Sequence, residues 1–226
     1  KLIEKFTGQH FDRQHLTLPA YRQIKEYLNT NFFFISPKED YRLDTILEKA
    51  RFLVRRRGIK CLVIDPYNRL EDEGDGHNET KYISKQLDRL TNFAQRNDVM
   101  VILMAHPTKQ SKNKDGVIEA PTLYDISGSA HFYNKTDFGI VVHRNRIDNT
   151  VEVHVQKVKF RHLGECGTAL FKYNLNNGRY SPYTAGVEPS WDNSNHLQEE
   201  MHRREKEAEE AAGFDFTAQP LDECPF

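Results

Sequence analysis

The run Cys61-Leu62-Val63-Ile64-Asp65 decides how this chain is read. Four mostly apolar residues stop abruptly at a carboxylate, with Gly58 shortly before the run and Pro66 directly after it. A short apolar run bounded in this way predicts a strand buried on both faces of a parallel sheet. An aspartate at the carboxyl end of such a strand sits where open α/β sheets bind ligands. Upstream, residues 42–57 put Leu43, Ile46, Leu47, Ala50, Leu53 and Val54 on one helical face, and Arg55-Arg56-Arg57 at its carboxyl end suit the helix dipole. Downstream, residues 79–96 repeat the helical period through Ile83, Leu87, Leu90, Phe93 and Ala94. Val99 to Ala105 then predicts another buried strand, ending at His106 on the same sheet edge as Asp65.

Further out, residues 1–7 and 19–29 read as helices, with Pro19 suited to a first helical turn. Asn31-Phe32-Phe33-Phe34-Ile35 reads as a buried strand closed by Ser36-Pro37. Polar loops are expected at 69–78 and 107–124, and a short helical turn after Asp125. Phe138 to His143 reads as a strand, and 150–158 with 168–174 as antiparallel strands joined around Gly164 and Gly167. Strands alternating with helices imply a mostly parallel α/β sheet with an antiparallel hairpin at its C-terminal edge. The pattern fails after Gly186. The expected division is therefore a folded domain over 1–183 and a flexible acidic tail over 184–226, in which 198–212 forms at most a charged helix with little apolar face.

The chain has 226 residues, 38% hydrophobic and 29% charged. No apolar run reaches membrane-spanning length, and no leader is visible. The first residues, Lys1-Leu2-Ile3-Glu4-Lys5-Phe6, read as the middle of a helix, so the chain is expected to begin inside a larger protein. Three widely spaced cysteines, Cys61, Cys166 and Cys224, form no CxxC and no disulfide framework, which suits a reducing, cytoplasmic setting. The ten histidines form no HxxxH or HExxH pair, so no zinc site is expected. The net charge of −1 conceals a division: 29 basic against 23 acidic side chains over 1–188, and 3 against 10 over 189–226. A basic body suits a nucleic-acid partner and an acidic tail a protein partner.

A third cluster, Lys159-Phe160-Arg161-His162-Leu163-Gly164-Glu165-Cys166-Gly167, joins the two strand ends. With Gly128-Ser129 and Asp137-Phe138-Gly139-Ile140-Val141-Val142-His143-Arg144, it resembles the RecA-like P-loop NTPase motor domain of hexameric replicative helicases. That family includes DnaB, phage primase-helicases and Twinkle. The resemblance covers about residues 1–180 and implies an ATP-dependent, Mg²⁺-using DNA helicase that works as a hexameric ring. It makes Asp65 the Walker B aspartate that holds Mg²⁺ on the nucleotide, with Asn68 at the turn where many members carry Gln. It makes His106 the contact to the γ-phosphate that relays nucleotide state to a DNA loop, with Asn134 at a relay position where relatives place the longer Gln. Arg161 becomes the arginine finger, inserted into the neighbouring subunit's site, with Lys159 beside it. Arg144 and Tyr173 match the surroundings of the nucleotide base. The loop carrying Lys109, Lys112 and Lys114 matches the loop that lines the central channel and grips single-stranded DNA, along with Gly128 and Ser129. Its three lysines suit sequence-independent phosphate contacts, and it holds no aromatic residue for base stacking.

No GxxxxGK[ST] occurs in the 226 residues. The phosphate-cradling loop is therefore absent from this chain, and so is the family's catalytic glutamate. The chain is expected to carry the second half of an ATP site and to be inactive alone. Two other readings remain: a RecA-type recombination or repair ATPase, in which the Lys159-x-Arg161-x-x-Gly164 hairpin is not expected, and a non-catalytic nucleic-acid-binding module that keeps the fold. Asp222-Glu223-Cys224-Pro225-Phe226 resembles the acidic, Phe-ended tip with which bacterial single-strand-binding proteins dock partners, so Phe226 is a candidate anchor for a replisome protein.

Overall fold

The computed structural model describes residues 1–12, 17–37, 40–70, 79–108, 118–126, 129–145 and 148–212. The described elements are α1 (Leu2–Thr7), α2 (Leu18–Asn31), α3 (Leu43–Arg57), β1 (Cys61–Ile64), α4 (Glu79–Asn97), β2 (Met100–Leu103), α5 (Ser129–Lys135), β3 (Phe138–Arg144), β4 (Thr150–Val158), β5 (Gly167–Tyr173), β6 (Tyr180–Pro182) and α6 (His196–Ala212). They fall into two compact units. One holds Lys1–Asn29, Tyr173–Ser181 and the stretch from Glu188; the other holds Thr30–Lys172 and Pro182–Val187.

In the larger unit, β1 and β2 run parallel in the register Cys61↔Met100 to Ile64↔Leu103. The 3.6-residue apolar period of α3 and α4 puts Leu43, Leu47, Ala50, Ile83, Leu87, Leu90 and Phe93 in one core with Leu62 and Ile64 of β1 and Phe132 of α5. Each of these larger apolar side chains, fully buried, stabilises the fold by about 1.5–3 kcal/mol. Gly58 ends α3 in a left-handed conformation and returns its N–H to the Val54 carbonyl at 2.9 Å. A second sheet pairs β3 with β4 and β4 with β5, all antiparallel, with a register shift at Gly139/Ile140. The architecture is thus α/β, with a parallel pair and an antiparallel sheet.

Two expectations for this unit change. Residues 32–37 form no strand, because no described strand lies beside them to pair with, and Phe34 is 81% exposed. Among the described residues, the parallel strands are covered on one face only. Leu62 and Ile64 are buried, whereas Val63, Met100 and Ile102 are 53%, 60% and 41% exposed. Every helix that covers these strands among the described residues packs on the first face.

The smaller unit is built from short pieces held by polar contacts. Ile24 of α2 and Leu197 of α6 are fully buried. The Phe6 and Tyr27 rings meet edge-on at 5.1 Å, and the Arg204 guanidinium lies 5.4 Å over Tyr27. Arg179 binds five groups at once: its Nε donates to the Lys5 carbonyl at 2.8 Å, its terminal nitrogens to those of Asp192, Ser194 and Phe6, and it pairs with the Asp192 carboxylate at 3.4 Å. The buried Asn177 amide donates to the Gly8 carbonyl and to Asn193 Oδ1, both at 3.2 Å. Gly8 has φ 71°, and a Cβ there would stand 2.6 Å from the Asn193 carbonyl oxygen, so glycine is required twice over. Within the segment expected to be a tail, α6 is a formed 17-residue helix that buries Leu197.

Candidate nucleotide-site edge

The parallel register places the carboxyl ends of β1 and β2 side by side. The Met104 N–H donates to the Ile64 carbonyl at 2.9 Å, and the Tyr67 N–H returns to the Met104 carbonyl at 2.7 Å. Asp65 and His106 therefore emerge at one edge, and Asn68 joins them: its Oδ1 accepts the His106 N–H at 3.2 Å. Both Asp65 and His106 are exposed, and the Asp65 carboxylate has no ion-pair or hydrogen-bond partner among the described residues. The turn Tyr67–Arg69 is held against α5 by the Tyr67 and Phe132 rings, 5.1 Å apart and nearly perpendicular. This contact fixes the helix bearing Asn134 beside the Asp65 edge.

At the end of the antiparallel sheet, the Lys159 N–H donates to the Asp137 carbonyl at 2.9 Å and its Nζ to Asp137 Oδ1 at 2.7 Å. Lys157 Nζ donates to the carbonyls of Tyr133 and Asn134. Asn134 and Lys159 are thus gathered at one end of the sheet. Arg161 follows in the turn Arg161–Leu163, exposed and without a partner among the described residues. Arg144 belongs elsewhere. It pairs with Val151 at the far end of β4, roughly 24 Å of strand away, and donates to Asn149 Oδ1 at 3.4 Å. Tyr173 closes β5 with its ring 5.1 Å from Tyr180. Lys109, Lys112, Lys114, Gly128 and Phe226 lie outside the described residues. Ser129 opens α5, but its side chain is outside them too.

Three residues with no assigned role connect these parts. Thr108, two residues after His106, donates through both its N–H and its hydroxyl to the Asp125 carbonyl, at 2.8 and 2.7 Å. Asp125 closes a capping box with Thr122. The Gln156 side chain on β4 donates to the Pro121 carbonyl at 2.9 Å and accepts the Leu123 N–H at 3.0 Å. Thr108 and the segment Pro121–Asp125 are therefore tied to the strand that leads to Lys159 and Arg161. The Thr122-x-x-Asp125 spacing is legible as a capping box. Nothing in the sequence singles out Gln156, one of several polar residues alternating with valines on β4.

Residues 5–181 match the DnaB-like helicase C terminal domain. The chain belongs to the DnaB-like helicase C-terminal domain family. Among relatives, it is 39% identical over 204 residues to a Twinkle homolog protein, chloroplastic/mitochondrial, of Arabidopsis thaliana, covering 83% of this chain and 28% of that protein. It is 26% identical over 152 residues to the DNA helicase/primase of Enterobacteria phage T3, covering 63% of this chain and 26% of that protein. The chain thus spans little more than a quarter of the relatives it matches. No described helix of this DnaB-like chain is long and apolar enough to cross a membrane.

Proposed function

We propose that the chain is the second half of the motor of an ATP-driven replicative DNA helicase of the primase-helicase type, acting as a hexameric ring on single-stranded DNA. The observation that carries this reading is the edge where Asp65, Asn68 and His106 converge, with Asn134 and Lys159 held nearby and Arg161 left free. Asp65 fits a Mg²⁺ ion that takes most of its ligands from phosphate and water: it offers an open carboxylate, and no group of three or more His, Cys, Asp or Glu converges among the described residues to cage a metal. Bound there with ATP, Mg²⁺ would neutralise charge that develops on the transferred phosphoryl group.

The remaining chemistry belongs to this chain's own groups. Asn68 fixes the backbone at His106, so the imidazole is presented at the edge where a γ-phosphate would end. Arg161, exposed beyond the hairpin, is the group that reaches a neighbouring subunit's site and stabilises transition-state charge. Lys159, paired with Asp137, steadies the hairpin end. Lys109, Lys112 and Lys114, with Gly128 and Ser129, are the proposed single-strand contacts. No GxxxxGK[ST] phosphate cradle occurs in these 226 residues, so in this reading the chain alone does not hydrolyse ATP. Phe226 and the acids before it form a proposed docking tip for a replisome protein. In this role a peptide covering 214–226 binds its partner with an affinity that falls as salt rises, and loses binding when Phe226 is removed.

The test is ATP hydrolysis by the longer protein that includes a GK[ST] loop. Asp65→Asn should reduce it at least a hundredfold while leaving single-strand binding in place. Wild-type turnover by that variant would remove Asp65 from the site.

A further inference from the structure

A groove of about 590 Å³ runs between α3 and α4, and none of the residues that line it belongs to the Asp65 edge. Arg51 and Arg55 line it from α3, one turn apart, and Arg89 and Arg96 from α4. Against these four cations stand Asp44, already paired with Arg89, and Glu48. Arg51, Arg55 and Arg96 have no partner among the described residues. The arginines in the last turn of α3 answer the helix dipole, but that reason does not reach Arg51, a full turn earlier, or Arg96 on another helix. On α3, directly after Arg51 in sequence, Phe52 is 61% exposed, and the Arg56 guanidinium lies 5.9 Å over its ring. An exposed phenylalanine among arginines is costly in water. It is also the pairing that single-stranded nucleic acid uses: a flat ring for a base and planar forks for phosphates.

The geometry points to a single-strand site in the groove between α3 and α4, in which Arg51, Arg55 and Arg96 hold phosphates and Phe52 stacks a base. Arginine rather than lysine suits this task, because its fork binds a phosphate through two N–H groups at once. The site needs no nucleotide and no neighbouring subunit, so its test is independent of helicase activity.

The experiment uses this chain with Lys109, Lys112 and Lys114 changed to alanine, which silences the loop. Binding of a fluorescent thymidine 20-mer is followed by anisotropy across a salt series. The loop-substituted chain should still bind. Changing Arg51, Arg55 and Arg96 to serine should lower the salt slope by roughly 2, or 0.7 per lost phosphate. Phe52→Leu should weaken binding about five- to a hundredfold at unchanged slope, and Phe52→Trp should restore it. An abasic 20-mer should bind like the Phe52→Leu case. The proposal is overturned if the loop-substituted chain does not bind, if the three serines leave the slope unchanged, or if polyglutamate displaces the 20-mer as readily as thymidine strand does. The last result would make the groove a docking site for an acidic protein segment.

Discussion

Arg179 shows how far single residues govern this molecule. Its guanidinium satisfies four backbone carbonyls and one carboxylate drawn from two segments, Lys5–Phe6 and Asp192–Ser194, on either side of it in sequence. Arg179→Ala should lower stability by about 3 kcal/mol, since it strands acceptors that have lost water. A urea titration read by circular dichroism measures this, and Arg179→Lys should recover little of it, because one ammonium cannot fork. Asp192 adds a pH dependence. Hydrogen bonds from the Ser194 hydroxyl and backbone N–H, then the charges of Arg179 and His196, hold its carboxyl below the ordinary value of 3.8. A depressed folded-state value means that the stabilisation is complete above about pH 4 and is lost as pH falls through the folded-state value. Asp192→Asn should flatten the stability profile in that acid window and change little at neutral pH. Neither residue carries a sequence signal. A side chain that binds distant backbone leaves no spacing to read, whereas Asp65 and His106 were legible because each ends an apolar run.

At the scale of elements, what could be read depended on whether local pattern and tertiary cover agreed. Helices α3 and α4 show their period in sequence and bury the same face in space. Strand β1 was legible from Gly58, the apolar run and Pro66, but its double-sided burial was not, because cover depends on neighbours and not on the run itself. Phe32-Phe33-Phe34 has the composition of a strand, yet a strand exists only where another accepts its hydrogen bonds. Helix α6 is the opposite case: the buried Leu197 joins Arg204 on Tyr27 to seat a helix of which nine of the 17 residues are charged. The tie between the segment Pro121–Asp125 and β4 yields its own prediction. Gln156→Leu removes the acceptor of the Leu123 N–H and the donor to Pro121. Exchange of the Leu123 amide should accelerate at least tenfold by NMR, while amides of β1 keep their protection. Gln156→Asn, one methylene shorter, should not rescue it. Unchanged exchange at Leu123 would mean that the side-chain amide does not hold that segment.

For the whole molecule, the open face of β1 and β2 matters most. Val63, Met100 and Ile102 present apolar surface that soluble proteins rarely leave contiguous. The chain should bind a hydrophobic dye and associate with rising concentration in sedimentation velocity runs. Val63→Lys together with Ile102→Lys should suppress both effects, since each side chain points off the covered face and its replacement leaves the Leu62 and Ile64 core intact. The central claim, that this family member contributes Asp65 to its own subunit's site and Arg161 to its neighbour's, is met most directly by subunit mixing. In the longer protein, Arg161→Ala alone should reduce DNA-stimulated ATP hydrolysis on the order of 10³-fold or more, and Asp65→Asn alone at least a hundredfold. Mixed in one ring, the two variants should regain part of the activity, at interfaces where an intact Asp65 faces an intact Arg161. A mixture no more active than the sum of the separate variants, in rings shown to contain both, would contradict the account.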